Sequence, residues 1–87
     1  MSKDVVVVDG FIEKVIPNSK FIILLTNKMR IEGHLSGKMR IHYIKIMTGD
    51  YVKVEISPYD PSKGRIIYRS IPTPILKEKF KKLQESD

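Results

Sequence analysis

Residues 36–46 of the chain read SGKMRIHYIKI, and two runs of β-type sequence lie on each side of them. The stretch has no acidic residue and three basic ones, Lys38, Arg40 and Lys45. Gly37 allows the chain to turn where a side chain would obstruct it, and we expect one short helical turn over residues 37–40. Four apolar residues are close enough to tie the stretch to a core: Met39, Ile41, Ile44 and Ile46. The pattern predicts a basic connection that a β scaffold displays toward an anionic ligand; the alternative is a solvated loop without carboxylates.

Five β-type runs surround this connection: residues 5–8 with 11–12, 21–25, 29–35, 51–56 and 65–69. Asp9-Gly10 interrupts the first run and predicts a bulge or sharp bend there. In the second run, a period of two directs Phe21, Ile23 and Leu25 inward and leaves Ile22 and Leu24 outside as an apolar patch. Five short strands with a connection after the third are typical of an OB-fold barrel, which binds oligonucleotides. The predicted fold class is therefore all-β.

Two turns have a sequence signature. Asn27-Lys28 joins the second and third runs, and Lys28 must accept a positive φ unless the turn is of another type. Thr48-Gly49-Asp50 precedes the fourth run, where we interpret Asp50 as a turn former and not as a catalyst.

The last part of the chain differs in composition, and we divide the sequence into an OB-fold domain at residues 1–71 and an extension at 72–87. Thr73 can cap a helix whose first residue is Pro74, and the apolar stripe of that helix is Leu76, Phe80 and Leu83. The extension is disordered, lies on an anionic surface or covers the outward Ile22 and Leu24. We favour the third interpretation because it accounts for both apolar sets.

Composition and net charge indicate the kind of partner and exclude several kinds of site. The 87 residues predict one barrel-sized core, and the net charge of +6 favours a polyanionic partner, with nucleic acid ahead of a membrane surface. Cysteine is absent, which excludes disulfides and zinc–thiolate sites. No metal site and no cofactor is predicted. No apolar run approaches the roughly 20 residues that a membrane helix needs, and no signal-peptide pattern occurs, so we expect a soluble intracellular protein.

Basic and aromatic residues alternate in the second half of the chain, as they do in proteins that stack bases and bind phosphates. The cations are Lys38, Arg40, Lys45, Lys63, Arg65 and Arg69. Tyr43 and Tyr59 either stack on bases or pack in the core, whereas we interpret Tyr68 as mostly structural. Catalysis is not expected, because the carboxylates are scattered and no Gly-rich phosphate loop is present.

Several short motifs occur in order: SGKMR at 36–40, YIKI at 43–46, TGD at 48–50, PYD at 58–60 and SKGRI at 62–66. Through them the chain resembles the bacterial and plastid translation initiation factor 1 family, without gaps from about Gly10 to Ser70. The resemblance implies a five-stranded OB-fold barrel in the A site of the small ribosomal subunit. The implied partners are the decoding region of 16S-type rRNA, an adjacent ribosomal protein and the other two initiation factors. A monomer in the cytoplasm, or alternatively the plastid stroma, and no membrane contact are implied as well.

The resemblance also implies an rRNA-binding set. Arg40 and Lys45 match the positions that hold the decoding-centre adenines out of their helix. Lys45 is often Arg in relatives, and Lys lacks the planar guanidinium that stacks on a base. Lys38, Lys63, Arg65 and Arg69 match basic positions that face rRNA, and His34 and Tyr59 match residues near the interface. Together with His42 and Tyr43 of the central stretch, the predicted rRNA-binding set is Lys38, Arg40, His42, Tyr43, Lys45, Tyr59, Lys63, Arg65, Arg69 and His34. Lys28 and Met29 depart from the family pattern, and residues 71–87 are expected to lie beyond its usual end.

Three other functions remain as alternatives. A general single-stranded RNA chaperone of the cold-shock type would need a denser set of aromatic residues. A small nuclease would use His42, and its RNA cleavage would be lost in His42→Ala. A structural ribosomal component would stay bound to subunits after a high-salt wash.

Overall fold

The structure is a computed structural model that describes residues 6–17, 20–41 and 45–85. Its elements, in chain order, are β1 (Val6–Ile16), β2 (Lys20–Leu25), β3 (Arg30–Leu35), α1 (Gly37–Ile41), β4 (Tyr51–Ile56), β5 (Lys63–Arg69) and α2 (Pro74–Glu85). No helix among these residues is long and apolar enough to cross a membrane.

The five strands form a closed barrel in the order β1-β2-β3-β5-β4. β1 pairs antiparallel with both β2 and β4, and β3 pairs in parallel with β5 to complete the closure. α1 follows β3, where the sequence predicts a helical turn. The predicted OB-fold barrel with a short helix after the third strand is confirmed.

The first strand differs from the prediction. Asp9 and Gly10 do not interrupt it, because β1 runs continuously and its register shifts only between Ile12 and Lys14. Gly10 is needed for a different reason: a Cβ atom there would lie 2.5 Å from Cγ2 of Ile23. The glycine allows β1 to approach the side chains that fill the barrel.

The barrel interior contains the predicted inward residues of β2 together with Val52 and Val54 of β4. Met39 and Ile46 bring the basic connection into this core, as expected. Ile41 was expected there too, but it is 72% exposed at the end of α1. A short helix turns its side chains through about 100° per residue, so Met39 and Ile41 cannot face the same side.

The two turns form as their residues predict. Lys28 has a φ of +73°, and Asn27 Oδ1 accepts a hydrogen bond from Met29 N at 3.0 Å. Asp50 Oδ2 accepts a hydrogen bond from Met47 N at 2.8 Å, so the carboxylate stabilises its own turn.

Helix α2 docks on the outside of the barrel. Thr73 Oγ1 caps it by accepting a hydrogen bond from Leu76 N at 3.2 Å. Phe80 is 1% exposed, and its ring centroid lies 5.9 Å from that of Phe11 and 5.7 Å from that of Tyr51. We call this outer side of β1 and β4, under Phe80, the covered face.

The covered face explains part of the outward apolar patch. Leu24 is the cross-strand partner of Phe11 and is buried although it lies outside the interior cluster. Ile22 is half-buried. Phe80 of the helix packs on the aromatic pair Phe11 and Tyr51. That the stripe of the helix also covers Ile22 and Leu24 stays a prediction.

Candidate nucleic-acid interface

The predicted cations that the structure describes lie on β5, on the end of β3 and on the α1 connection. α1 packs against β5 and β3, and Ser36 N donates a hydrogen bond to Ile66 O at 3.0 Å. Inside α1, Ser36 Oγ accepts from Met39 N, which fixes the start of the helix. Arg40 is exposed one residue beyond the buried Met39, so a buried anchor holds an exposed cation. We call the following residues the basic surface: His34, Arg40, Lys45, Lys63, Arg65 and Arg69.

Three of these residues line one shallow depression of about 230 Å³: His34, Lys63 and Arg65. The parallel pairing of β3 with β5 places His34 beside Arg65. Gly64 lies between Lys63 and Arg65, and a Cβ atom there would lie 2.5 Å from Cγ1 of Val54. The glycine lets β5 lie directly on the core while Lys63 and Arg65 face solvent.

Arg65 does not present a free charge. Its Nη2 lies 2.5 Å from Oε1 of Glu55, and its Nε lies 3.2 Å from the same oxygen. The carboxylate holds the guanidinium in one orientation over the depression and neutralises part of its charge. Sequence analysis missed Glu55, because the pairing depends on the register of β4 against β5.

Arg69 has a positioning contact. Its Nη1 donates a hydrogen bond to the backbone oxygen of Lys45 at 3.1 Å. The bond joins the end of β5 to the segment that follows α1, so two predicted site residues that are 24 positions apart lie together.

Elsewhere on the barrel, acidic side chains are paired with cations. Lys53 Nζ lies 2.6 Å from Asp9, Arg30 Nε lies 2.7 Å from Glu13, and Lys20 Nζ lies 3.3 Å from Glu32. The hydrogen bond to Asp9 raises the pKa of Lys53 above its usual 10.5. By contrast, Arg40, Lys45 and Lys63 form no ion pair with any residue in the described ranges. Net positive charge therefore accumulates on the basic surface.

Two exposed tyrosines flank this region in sequence. Tyr59 is 84% exposed in the loop before β5, an orientation open to base stacking. Tyr68 is 51% exposed beside Lys53, so its ring does not fill the core. The interpretation of Tyr68 as mostly structural stays a prediction. Met47, next to the connection, is an exposed apolar side chain that the sequence patterns do not single out.

Part of the predicted set cannot be located. His42 and Tyr43 lie outside the described residues, as does Ile44, and of Lys38 only the backbone position in α1 is described. In the described ranges, no group of His, Asp and Glu side chains is arranged to hold a metal ion.

A closed OB-fold barrel with a basic, partly aromatic surface along one strand defines an RNA-binding protein of the small OB-fold class. The model of the family Translation initiation factor 1A / IF-1 matches residues 3–86, and the chain belongs to this family. The match extends through α2, which corrects the expectation that the extension lies beyond the family's end.

Solved structures agree with this assignment. The chain is similar to translation initiation factor 1 from the Wolbachia endosymbiont strain TRS of Brugia malayi, with 41% identity and a TM-score of 0.69. That match covers 85% of this chain and 87% of the other. A second structure, YjeQ from Thermotoga maritima, shares the fold at 24% identity and a TM-score of 0.63; the match covers 76% of this chain and 23% of YjeQ.

Proposed function

We propose that this translation initiation factor binds the decoding region of the small ribosomal subunit through its basic surface. Bound there, the barrel fills the A site and blocks the entry of tRNA, and it acts together with the other two initiation factors. The chemistry is binding alone: cations replace counterions on rRNA phosphates, and exposed side chains contact bases that have left their helix.

The observation that supports this proposal most is the separation of charges on the barrel. The acidic side chains of β1 and β3, namely Asp9, Glu13 and Glu32, are paired with cations. Arg40, Lys45 and Lys63 are exposed with no ion pair among the described residues. Cations that no carboxylate neutralises produce a positive potential, which attracts an anionic partner such as rRNA. The buried Met39 and Ile46 on either side of Arg40 and Lys45 keep that cluster in place.

The salt dependence of binding to purified small subunits tests this proposal. Four to five phosphate contacts give a log–log slope of about −3 to −4.5. Arg40→Ala should weaken binding about tenfold and lower the slope by about one, while unfolding stability stays within about 0.5 kcal/mol. Lys14→Ala is the matched control, because Lys14 is an exposed cation on β1. The proposal would be contradicted if the affinity for subunits did not depend on salt concentration, or if Arg40→Ala and Lys14→Ala lowered it equally.

A footprint on the subunit then locates the site. We expect protection of the decoding-region adenines, and loss of that protection in Arg40→Ala. A competition experiment distinguishes this proposal from a chaperone of the cold-shock type. An excess of single-stranded RNA displaces such a chaperone from the subunit, whereas a factor that recognises one folded rRNA site stays bound.

A further inference from the structure

A groove lies between the barrel and the first turns of α2, and its lining includes none of the residues of the basic surface. Residues 70–76 form one side of it, and the ion pair of Asp9 with Lys53 on the barrel forms the other. Its volume is about 340 Å³. A second depression of about 320 Å³ continues along α2 and shares Ile75 and Lys79 with the first.

The apolar lining of this groove faces solvent. Ile71 is 84% exposed and Ile75 is 78% exposed. Neither side chain contributes to docking, which Phe80 achieves on another side of the helix. Ile75 lies in the first turn of the capped helix and Ile71 in the segment before it, so both present exposed apolar area to the same groove.

Ser70 gives the groove an unused polar group. Its Oγ is buried and has no hydrogen-bond partner among the described residues. A buried hydroxyl without a partner costs free energy.

The charges around the groove favour an anionic ligand. Lys79 and Lys82 line the two depressions, and Glu78 is the acidic residue of the helix beside them. The carboxylate of Asp9 is already paired with Lys53 at 2.6 Å. The groove therefore presents net positive charge along an apolar floor.

The residue types that line the groove favour a protein ligand over RNA. RNA-binding surfaces stack bases on aromatic rings or on guanidinium groups, and the lining of the groove has neither. Branched aliphatic side chains beside lysines suit a peptide that combines aliphatic and acidic residues. We propose that this groove binds a short acidic, aliphatic segment of a partner protein. The site is separate from the rRNA-binding surface and does not depend on it.

The test uses the full chain and a fluorescent peptide of alternating leucine and acidic residues. Fluorescence anisotropy at physiological ionic strength measures affinity, and methyl NMR of the isoleucines shows where the peptide binds. We expect the methyl resonances of Ile71 and Ile75 to shift, while that of the equally exposed Ile41 does not. The double variant I71S/I75S should weaken binding about tenfold, since it removes the apolar contact.

The charge component has a matched control on the same helix. K79E/K82E should weaken binding about fivefold or more. K77E/K81E makes the same change of charge at positions that do not line the groove and should have a smaller effect, because ions screen charges beyond about 8 Å. A peptide with lysine in place of its acidic residues should not bind.

Several results would overturn the proposal. These are an absence of peptide binding, equal losses for the two charge-reversed variants, or shifts confined to isoleucines outside the groove. If an RNA oligonucleotide or an anionic vesicle shifts Ile71 and Ile75 while the acidic peptide does not, the groove recognises that partner instead. Because both isoleucines are mapped in the unaltered chain, the outcome does not depend on how well the variants fold.

Discussion

The covered face and the basic surface are built on the same barrel and use their residues in opposite ways. On the covered face, Phe11, Tyr51 and Phe80 pack their rings together, and the nearby charges of Asp9 and Lys53 neutralise each other. On the basic surface, Arg40 and Lys45 are exposed and have no ion pair among the described residues. The first arrangement stabilises the fold, whereas the second leaves binding energy available for a partner.

This contrast predicts that stability and rRNA binding can be changed separately. A substitution on the covered face should lower the free energy of unfolding and leave subunit binding unchanged while the protein remains folded. A substitution on the basic surface should do the reverse.

The largest effect is expected for Phe80→Ala. Truncation of a buried phenylalanine costs about 3–5 kcal/mol, and we expect about 3 kcal/mol here because the site lies on the barrel's outer side and can relax. Urea unfolding measures it, and deletion of residues 72–87 should lower the melting temperature as well. Phe80→Leu is the control, because it keeps most of the apolar contact and should cost less. An unchanged unfolding curve for Phe80→Ala would mean that α2 does not stabilise the barrel.

Helix α2 also shows which features of the fold can be predicted from the sequence. The five strands, the helical turn and the cap at Thr73 follow from local patterns, namely period-two alternation, turn residues and an N-cap. The stripe of α2 is local too, but its partners Phe11 and Tyr51 meet only because β1 pairs with β4. A single sequence does not contain that register.

The candidate site shows the same limit. Arg40 and Lys45 stand out because their neighbourhood lacks acidic residues. The pairing of Arg65 with Glu55 depends on the register of β4 with β5, which shifts between Lys53 and Val54. The break predicted at Gly10 is wrong for a related reason: close approach across the barrel interior requires glycine there, and the sequence pattern of such a position is the same as that of a bulge.

A smaller effect is expected for Glu55→Gln, which removes the carboxylate paired with Arg65 of the basic surface. The change releases Arg65 from its carboxylate, so subunit binding should tighten about threefold. Stability should fall by less than about 1 kcal/mol, as for other exposed ion pairs.

Subunit binding at several salt concentrations measures the effect of Glu55→Gln. Asp9→Asn is the matched control, because it frees Lys53 near the covered face with the same change in charge. If both variants tighten binding equally, the net charge of the protein determines affinity, and the location of Arg65 on the basic surface has no effect.

Lys28→Gly should change stability without touching either surface. Lys28 has a φ of +73°, a conformation that strains a non-glycine residue by about 1–2 kcal/mol. Glycine removes that strain but loses about 0.4–1 kcal/mol through greater freedom in the unfolded chain. We expect a net gain of about 0.5 kcal/mol in urea unfolding, with unchanged subunit binding. Lys28→Ala, which keeps the strain, should show no gain.

The smallest effect concerns the paired charges near the covered face at alkaline pH. The hydrogen bond to Asp9 raises the folded-state pKa of Lys53 above 10.5. The ion pair therefore stabilises the protein fully below pH 10.5, and this contribution is lost as the pH rises through the folded pKa. Melting temperatures from neutral pH to about pH 12 should fall less steeply for Lys53→Met than for the unaltered chain. Asp9→Asn removes the cause of the shift and should flatten the curve in the same way. If the three curves stay parallel, the pair of Lys53 with Asp9 contributes nothing to stability, and the two surfaces differ only in their aromatic packing.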